Sequence, residues 1–148
     1  PLHPKDPVKR AMNRAWTDFV PTFSSGLSAC YYAKTPAEQE EGYEKARAVL
    51  QKLEDAIDRE RGNDGPYFNG PDLSLVDAAY APFFQRFAAV EERLGSGLLD
   101  DFPLVKAWSQ ALLATETVTG SVADSFPAEF AANLKRRGTV VAPLFEAA

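Results

Sequence analysis

Apolar residues recur three or four positions apart along almost the whole chain, and this spacing constrains the fold most strongly. No segment alternates between apolar and polar residues as a half-buried strand would, and residues 139–142 are too short to form a sheet alone. The pattern therefore predicts an all-α fold, a helical bundle of five to seven helices. The first stripe comprises Val8, Ala11, Met12, Ala15, Trp16, Phe19, Val20 and Phe23.

Prolines and capping residues predict where the helices begin and end. Asp6 followed by Pro7 is typical of an N-cap with proline at the first helical position. Pro21 falls inside the first stripe and predicts a kink or a split near Val20. We expect this helical segment to end near Lys34.

Two capping boxes predict the starts of the next two helices. Thr35 and Glu38 have the spacing in which each side chain binds the other residue's backbone N–H. Turn-forming residues at 61–66 end that helix. Ser74 and Asp77 form the second box, before a strongly apolar helix that we expect to be central and most buried. Three large aromatic residues are expected in the core: Trp16, Tyr80 and Trp108.

The remaining third of the chain predicts shorter elements. A helix opens at residues 101–103, and residues 115–125 predict at most one helical turn. The last helix runs from about Phe126 to Arg137 and ends at a glycine. Residues 139–148 have no clear period and are interpreted as a C-terminal tail.

Charge and hydropathy exclude several classes of partner. The chain has 16 basic and 21 acidic residues, a formal net charge of −5. No basic face would offset repulsion from phosphates, so we expect no nucleic-acid partner. No stretch approaches the roughly 18 consecutive apolar residues of a membrane span, and no signal peptide opens the chain. We therefore expect no membrane association.

The cysteine and histidine counts exclude several kinds of site. One Cys and one His cannot form a disulfide framework or a four-ligand zinc site. His3 is interpreted as a solvated residue near the chain start, and Cys30 as a small buried hydrophobe. Without a base or a helix N-terminus beside Cys30, we expect it to be unreactive. A lone Cys fits a reducing compartment without proving one. The expected location is cytoplasmic.

The first residues suggest a segment cut from a longer protein. The chain opens Pro-Leu-His-Pro without an initiator Met, which favours an interdomain linker at residues 1–5. We expect a helical domain at residues 6–138, followed by the tail.

Two segments resemble the C-terminal domain of cytosolic glutathione transferases. The block from Gly65 to Tyr80, GPYFNGPDLSLVDAAY, is similar to the family signature, in which an aromatic-Asn-Gly turn precedes the Ser and Asp that cap the central helix. The segment from Phe102 to Trp108, FPLVKAW, resembles the family's FP-x-V-x-x-W helix. The resemblance extends from Pro4 to about Gly138 and implies the same all-helical fold.

Other segments are most similar to the omega-like and lambda-like branch of the family: Val20-Pro21 and residues 82–87. The resemblance implies a parent enzyme that favours thiol transfer over conjugation and acts as a homodimer. Its N-terminal thioredoxin-like domain would carry the catalytic residue and bind most of the co-substrate glutathione. Because that domain is absent here, we expect no catalytic residue in this chain and no activity of the chain alone.

The resemblance also implies a set of residues that bind a hydrophobic or electrophilic small molecule. Aromatic walls would supply apolar contact, while Arg86 could hold an anionic or carbonyl group. Phe pairs four residues apart are also typical of core packing, and Arg86 could instead pair with Glu91, Glu92 or the missing domain. Ser74 and Asp77 are interpreted as a structural cap rather than as catalytic residues. The expected binding residues are Pro21, Ser28, Arg86, Phe126, Phe130 and Asn133.

Two other functions are compatible with this sequence. The same helical module serves as a non-catalytic protein–protein interaction domain in other proteins, and an independent ligand-binding domain would need an internal pocket. If a domain is missing, the first and central helices should expose an apolar patch that promotes self-association.

Overall fold

The computed structural model describes residues 5–60, 64–115 and 126–145. These residues form six α-helices and two short 3₁₀ helices, Leu98–Asp101 and Ala142–Phe145, with no strand among them, so the all-α prediction is confirmed. His3, most of the expected linker and the possible turn within 115–125 lie outside the described residues. The helices are α1 (Pro7–Asp18), α2 (Val20–Tyr32), α3 (Pro36–Glu60), α4 (Leu75–Leu94), α5 (Pro103–Leu113) and α6 (Phe126–Arg136).

The first predicted helix is split where its proline requires it. The side chain of Asp6 caps α1 by accepting a hydrogen bond from the Val8 N–H at 3.0 Å. Phe19 ends α1 and immediately precedes α2, whose first turn contains Pro21. Proline is tolerated there because the first N–H groups of a helix have no partner within the helix. The expected split near Val20 is therefore confirmed.

The second predicted helix is α3, and it packs along α2. The Glu38 N–H donates to the Thr35 hydroxyl at 3.1 Å, and the Glu38 carboxylate accepts from the Lys34 N–H at 2.9 Å. The returning bond thus reaches one residue earlier than a standard capping box requires. Gly26 and Gly42 lie where α2 and α3 approach each other most closely.

The centre of the core is an aromatic cluster between α4 and α5. The Trp108 ring lies 5.3 Å from the Tyr80 ring and 5.5 Å from the Phe84 ring, and all three side chains are buried. Phe23 of α2 extends the cluster, 4.9 Å from Tyr80. The core positions predicted for Tyr80 and Trp108 are confirmed. Trp16 is only half-buried at its edge, so the prediction that it lies in the core is wrong.

Helix α1 leaves most of its apolar stripe uncovered. Its only fully buried residue is Asn13, which is 4% exposed, whereas Val8 is 66% exposed. The backbone of α1 is bound to α4, because the Tyr80 hydroxyl donates a hydrogen bond to the Trp16 carbonyl. The Trp16 side chain is left half-buried at the edge of the core. We call the uncovered stripe the α1 face: Val8, Met12, Ala15, Trp16 and Phe19.

The segment after α6 returns to the helical core. Gly138, with a φ of 67°, ends the helix in a conformation that side-chain-bearing residues rarely adopt. The Val140 N–H then donates to the Ala33 carbonyl at 2.9 Å, which ties this segment to the end of α2. Val141 and Ala142 are buried in the core, so residues 139–145 pack with the helices although their sequence shows no period.

Candidate functional site

Five aromatic rings form one continuous surface along α2, α6 and the second 3₁₀ helix. The Phe126 and Phe130 rings stack with centroids 5.6 Å apart. Phe130 contacts Tyr31 edge to face at 5.9 Å and Phe145 at 6.1 Å, and Tyr31 contacts Tyr32 at 4.7 Å. We call these five residues the aromatic wall. Tyr31 and Phe130 are buried in its interior, whereas Tyr32, Phe126 and Phe145 are half-buried and leave apolar ring surface for a ligand.

Arginine side chains lie against this wall at two points. The guanidinium of Arg137 is 3.8 Å from the centroid of the Tyr32 ring, and that of Arg93 is 4.5 Å from the Phe145 ring. Both distances are within the range of a cation–π contact. Within the described residues, neither arginine forms an ion pair with a carboxylate.

Arg86 is the third arginine of this region. Its guanidinium lies 5.4 Å from the Phe83 ring, and it too has no carboxylate partner within the described residues. The alternative that Arg86 pairs with Glu91 is wrong, because the Glu91 carboxylate instead accepts hydrogen bonds from the Ser96 and Gly97 N–H groups. Pairing with Glu92 is likewise not observed.

Tyr31 lies at the inner side of the wall, where it is 2% exposed. Burial raises the pKa of Tyr31, and the positive charges of Arg86 and Arg137 partly oppose this rise. Both guanidinium groups therefore act electrostatically on the same phenol.

Three of the six expected binding residues lie together on α6. Phe126, Phe130 and Asn133 follow one another at four- and three-residue intervals, which places them on one side of the helix. Phe130 is buried, whereas Phe126 and Asn133 are half-buried. The Asn133 carboxamide oxygen accepts a hydrogen bond from Arg136 at 3.4 Å.

The two expected residues on α2 lie far apart. Ser28 is half-buried one turn before Tyr31, and its hydroxyl donates to the Ser25 carbonyl at 3.3 Å. Pro21 is exposed in the first turn of α2, about 15 Å along the helix axis from Tyr31 at 1.5 Å per residue. Ser28 therefore lies one turn from the wall residue Tyr31, whereas Pro21 lies at a distance from the wall.

The predicted capping box is present at the start of α4. The Asp77 carboxylate accepts hydrogen bonds from the Ser74 N–H at 2.7 Å and from the Ser74 hydroxyl at 2.8 Å. It also accepts from the Phe68 N–H at 3.0 Å and the Trp108 indole N–H at 2.7 Å. A buried carboxylate with four donors holds neighbouring segments together and has no free lone pair aimed at a substrate.

Cys30 is buried in the core and is not a nucleophile. Burial raises the pKa of its thiol to about 12, and the thiol donates to the Leu27 carbonyl at 3.2 Å. Because the thiolate is the reactive form, this environment makes the residue inert at neutral pH. The interpretation of Cys30 as a small buried hydrophobe is confirmed.

Two cavities lie away from the aromatic wall. One, of about 280 Å³, is open to solvent and lies between α4, α5 and the first 3₁₀ helix, with Phe87, Leu99 and Leu113 in its lining. The other, of about 380 Å³, lies between the α1 face and Lys52 of α3. Neither contains an expected binding residue. In the described ranges no cluster of metal-ligating side chains exists, and no helix there is long and apolar enough to span a bilayer.

Sequence reasoning missed three residues of the wall, Tyr31, Tyr32 and Phe145, and the two arginines that lie against it, Arg93 and Arg137. Phe145 lies in the segment 139–148, which shows no clear period and was expected to be a tail. The available signal was the pair of adjacent tyrosines at the end of a helix. Adjacent helical residues point to different sides of the helix, so the two rings cannot both belong to one buried stripe. No local pattern indicates that residues 137–145 reach α2.

Comparison with known proteins identifies the family. A protein-family model described as "Glutathione S-transferase, C-terminal domain" matches residues 36–111, more than half of the chain. The chain belongs to the glutathione S-transferase C-terminal domain family. A curated relative, the probable glutathione S-transferase BZ2 of Zea mays, is 37% identical over 118 residues, which cover 76% of this chain and 50% of the relative.

Solved structures agree with this assignment. Glutathione transferase Omega 3C from Trametes versicolor matches with a TM-score of 0.69 and 30% identity, covering 83% of this chain and 53% of that protein. A Tau class enzyme from mango, Mangifera indica, matches with a TM-score of 0.70 and 22% identity, covering 90% of this chain and 62% of the enzyme. The chain spans about half the length of the curated relatives it matches.

Proposed function

We propose that this chain is the co-substrate-binding domain of a glutathione S-transferase. The observation that carries the proposal is the aromatic wall, in which Phe126 and Phe130 stack at 5.6 Å beside the half-buried Asn133. A flat apolar surface with a few polar groups at its edge suits a hydrophobic or electrophilic small molecule. The expected binding residues are Ser28, Arg86, Phe126, Phe130 and Asn133, with Pro21 at the outer end of α2.

The thiol chemistry would come from outside this chain. Cys30 is inert because burial raises its pKa to about 12, and in the described part of the chain no other thiol exists. Glutathione would therefore be bound mainly by a thioredoxin-like domain of the longer protein, which would also carry the catalytic residue. The chain alone would be inactive.

The reaction type follows from the class within the family. Omega-like or lambda-like thiol transfer, through a mixed disulfide with glutathione, is supported by the 30% identity to the Omega 3C enzyme. The similar TM-score of the Tau class enzyme keeps conjugation as the second reaction to be measured. We propose thiol transfer for the longer protein, acting in the cytoplasm.

The α1 face supports assembly of the longer protein. Val8 is 66% exposed and the neighbouring Trp16 is only half-buried, which leaves apolar surface uncovered. We propose that the longer protein is a homodimer in which this surface is covered. The same surface favours the second candidate function, a non-catalytic protein–protein interaction module.

Activity measurements on the longer protein and on this chain test the proposal. We expect glutathione-dependent thiol transfer, or conjugation, in the longer protein and none in the chain. Phe126→Ala should raise the KM for the co-substrate several-fold and leave the KM for glutathione unchanged, because Phe126 is a half-buried ring of the wall and glutathione would be bound mainly by the other domain. Leu75→Ala, which removes an exposed apolar side chain from the first turn of α4, away from both the wall and the α1 face, is the control and should change neither KM.

The outcomes separate the two candidates. If Phe126→Ala raised the KM for glutathione as much as the KM for the co-substrate, or changed neither, the result would argue against a co-substrate role for the wall. If the longer protein neither turns over substrate nor binds glutathione, the interaction module becomes the better explanation.

A further inference from the structure

The cavity between α4, α5 and the first 3₁₀ helix has the composition of a small-molecule site. We call it the α4–α5 cavity; its volume is about 280 Å³. The buried rings of Phe84 and Phe87 and the half-buried Leu99 and Leu113 form its apolar lining. Small-molecule pockets are mostly apolar with a few polar groups, and their volumes run from roughly 300 to 1,000 Å³. The α4–α5 cavity is just below this range, so it suits a ligand with a single ring.

Glu91 supplies a carboxylate to this cavity. Its Oε1 atom accepts hydrogen bonds from the Ser96 N–H at 2.9 Å and the Ser96 hydroxyl at 2.6 Å, and its Oε2 atom accepts from the Gly97 N–H at 3.0 Å. Gly97 also lines the cavity, so Oε2 lies within hydrogen-bond distance of the cavity wall. A carboxylate has about four acceptor sites, and the bonds made within the described ranges leave one of them open on Oε2.

The charges that line the cavity are not balanced. The Lys106 ammonium donates to the Asp100 carboxylate at 2.5 Å, and both residues belong to the lining. Glu91 takes part in none of the ion pairs found in the described part of the chain. The lining therefore has one carboxylate without a cationic partner, which favours a positively charged ligand.

The hydroxyl of Ser109 offers a second acceptor in the lining. Ser109 is 3% exposed, and its hydroxyl donates to the Lys106 carbonyl at 2.8 Å. Because a hydroxyl has one proton and two lone pairs, the Ser109 oxygen can make a further hydrogen bond only by accepting it. Glu91 and Ser109 thus both match a ligand that donates hydrogen bonds.

We propose that the α4–α5 cavity binds a small organic ammonium ion with one apolar ring. The ammonium group would donate to Oε2 of Glu91, and the ring would pack against Phe87, Leu99 and Leu113. The cavity lies away from the aromatic wall and contains none of the residues expected to bind the co-substrate. The inference therefore adds a second binding site to this chain and is independent of the proposed co-substrate function.

Three probes of similar shape and different charge test the proposal: benzylammonium, benzyl alcohol and benzoate. NMR titrations of this chain give the Kd of each probe and the residues whose signals shift. We expect benzylammonium to bind about tenfold more tightly than benzyl alcohol at low salt, with an advantage that shrinks at high salt. The shifts should include Phe87, Leu99 and Leu113. Benzoate should bind more weakly than the alcohol, because Glu91 repels it.

Charge variants locate the source of the preference. Glu91→Gln should remove most of the advantage of benzylammonium and leave benzyl alcohol binding unchanged, because it removes the charge and keeps the size of the side chain. Glu92→Gln is the matched control: it removes the same charge from an exposed neighbour that does not line the cavity, and it should change neither Kd. Lys106→Gln should act in the opposite direction, because it leaves Asp100 unpaired, and should tighten benzylammonium binding about two- to threefold.

A steric variant tests the location independently of Glu91, whose hydrogen bonds also hold residues 96–97. Ala88 is half-buried in the lining, and Ala88→Leu should weaken binding of both benzylammonium and benzyl alcohol by filling the cavity. Phe126→Ala, at the aromatic wall, should leave both Kd values unchanged. Far-UV circular dichroism verifies that each variant is folded.

Each other result would overturn the proposal. Equal binding of benzylammonium and benzyl alcohol, or tighter binding of benzoate, would overturn the assignment of a cationic ligand. Binding that is weakened by Phe126→Ala and unaffected by Ala88→Leu would place the probes at the wall, and the absence of shifts in the cavity would remove the site. The co-substrate role of the wall is tested separately by the KM values, so it stands or falls independently of these results.

Discussion

Asp77 is the residue on which most of the local architecture depends. Its buried carboxylate accepts from Ser74, Phe68 and Trp108, which belong to the helix cap, the preceding turn and α5. Asp77→Ala would leave these donors buried without partners. We expect a loss of about 3 kcal/mol or more in the free energy of unfolding, above the roughly 1–2 kcal/mol of an isolated cap. Urea denaturation measures it.

A comparison of variants tests whether the loss at Asp77 comes from these bonds. Asp72→Ala, at an exposed position five residues earlier, should change stability by less than about 0.5 kcal/mol. Trp108→Phe removes one donor and keeps most of the ring, so its effect should be smaller than that of Asp77→Ala. Equal stability of Asp77→Ala and the unchanged protein would contradict this account.

At the scale of elements, the contact between α2 and α3 depends on Gly42. A Cβ atom there would lie 2.4 Å from the Ala29 carbonyl oxygen and 2.5 Å from its carbon, both backbone atoms of α2. Alanine favours a helix over glycine by roughly 0.5–1 kcal/mol, but the helices would have to separate. We expect Gly42→Ala to be destabilising by about 1–3 kcal/mol, measured as the melting temperature.

Gly26→Ala provides the comparison for this contact. Its Cβ atom would meet the Val49 side chain at 2.7 and 3.0 Å, and a side chain can shift more easily than a backbone. The loss should therefore be smaller than for Gly42→Ala. The reverse order would mean that α2 and α3 are not held at the distance seen here.

At the scale of the whole molecule, one buried thiol and two buried phenols predict that the free energy of unfolding falls at alkaline pH. Burial raises the pKa of Cys30 from 9.0 to about 12 and also raises those of Tyr31 and Tyr80 above their ordinary value of 10.0. Below pH 9 all three groups are protonated in both states, so stability is unaffected. Above it only the unfolded chain releases these protons, and the free energy of unfolding falls.

The expected slope can be measured. Each group contributes a fall of up to about 1.4 kcal/mol per pH unit between its unfolded and folded pKa values. Urea denaturation at about pH 8 and about pH 10 should show the fall, and Cys30→Ala should reduce it because the thiol ionises first in the unfolded chain. An equal fall in both proteins would assign the effect to the tyrosines and to general charge repulsion.

Local chemistry in the sequence was sufficient for the helices and their ends. Asp6, Pro21 and the Ser74–Asp77 box act within one or two turns, so their effects are visible in the residues themselves. The same reasoning assigned Trp16 to the core, because periodicity shows that a stripe exists but not which partner covers it.

The candidate site was decided only by the tertiary structure. Arg137 reaches Tyr32 because the segment after α6 is bound to Ala33 through the Val140 N–H. That contact joins residues about a hundred positions apart, and the local periodicity of the sequence does not indicate it. The sequence by itself determined the helices, their caps and the family. Packing determined that Arg137 meets Tyr32, because which side chains converge depends on how the helices are placed against one another.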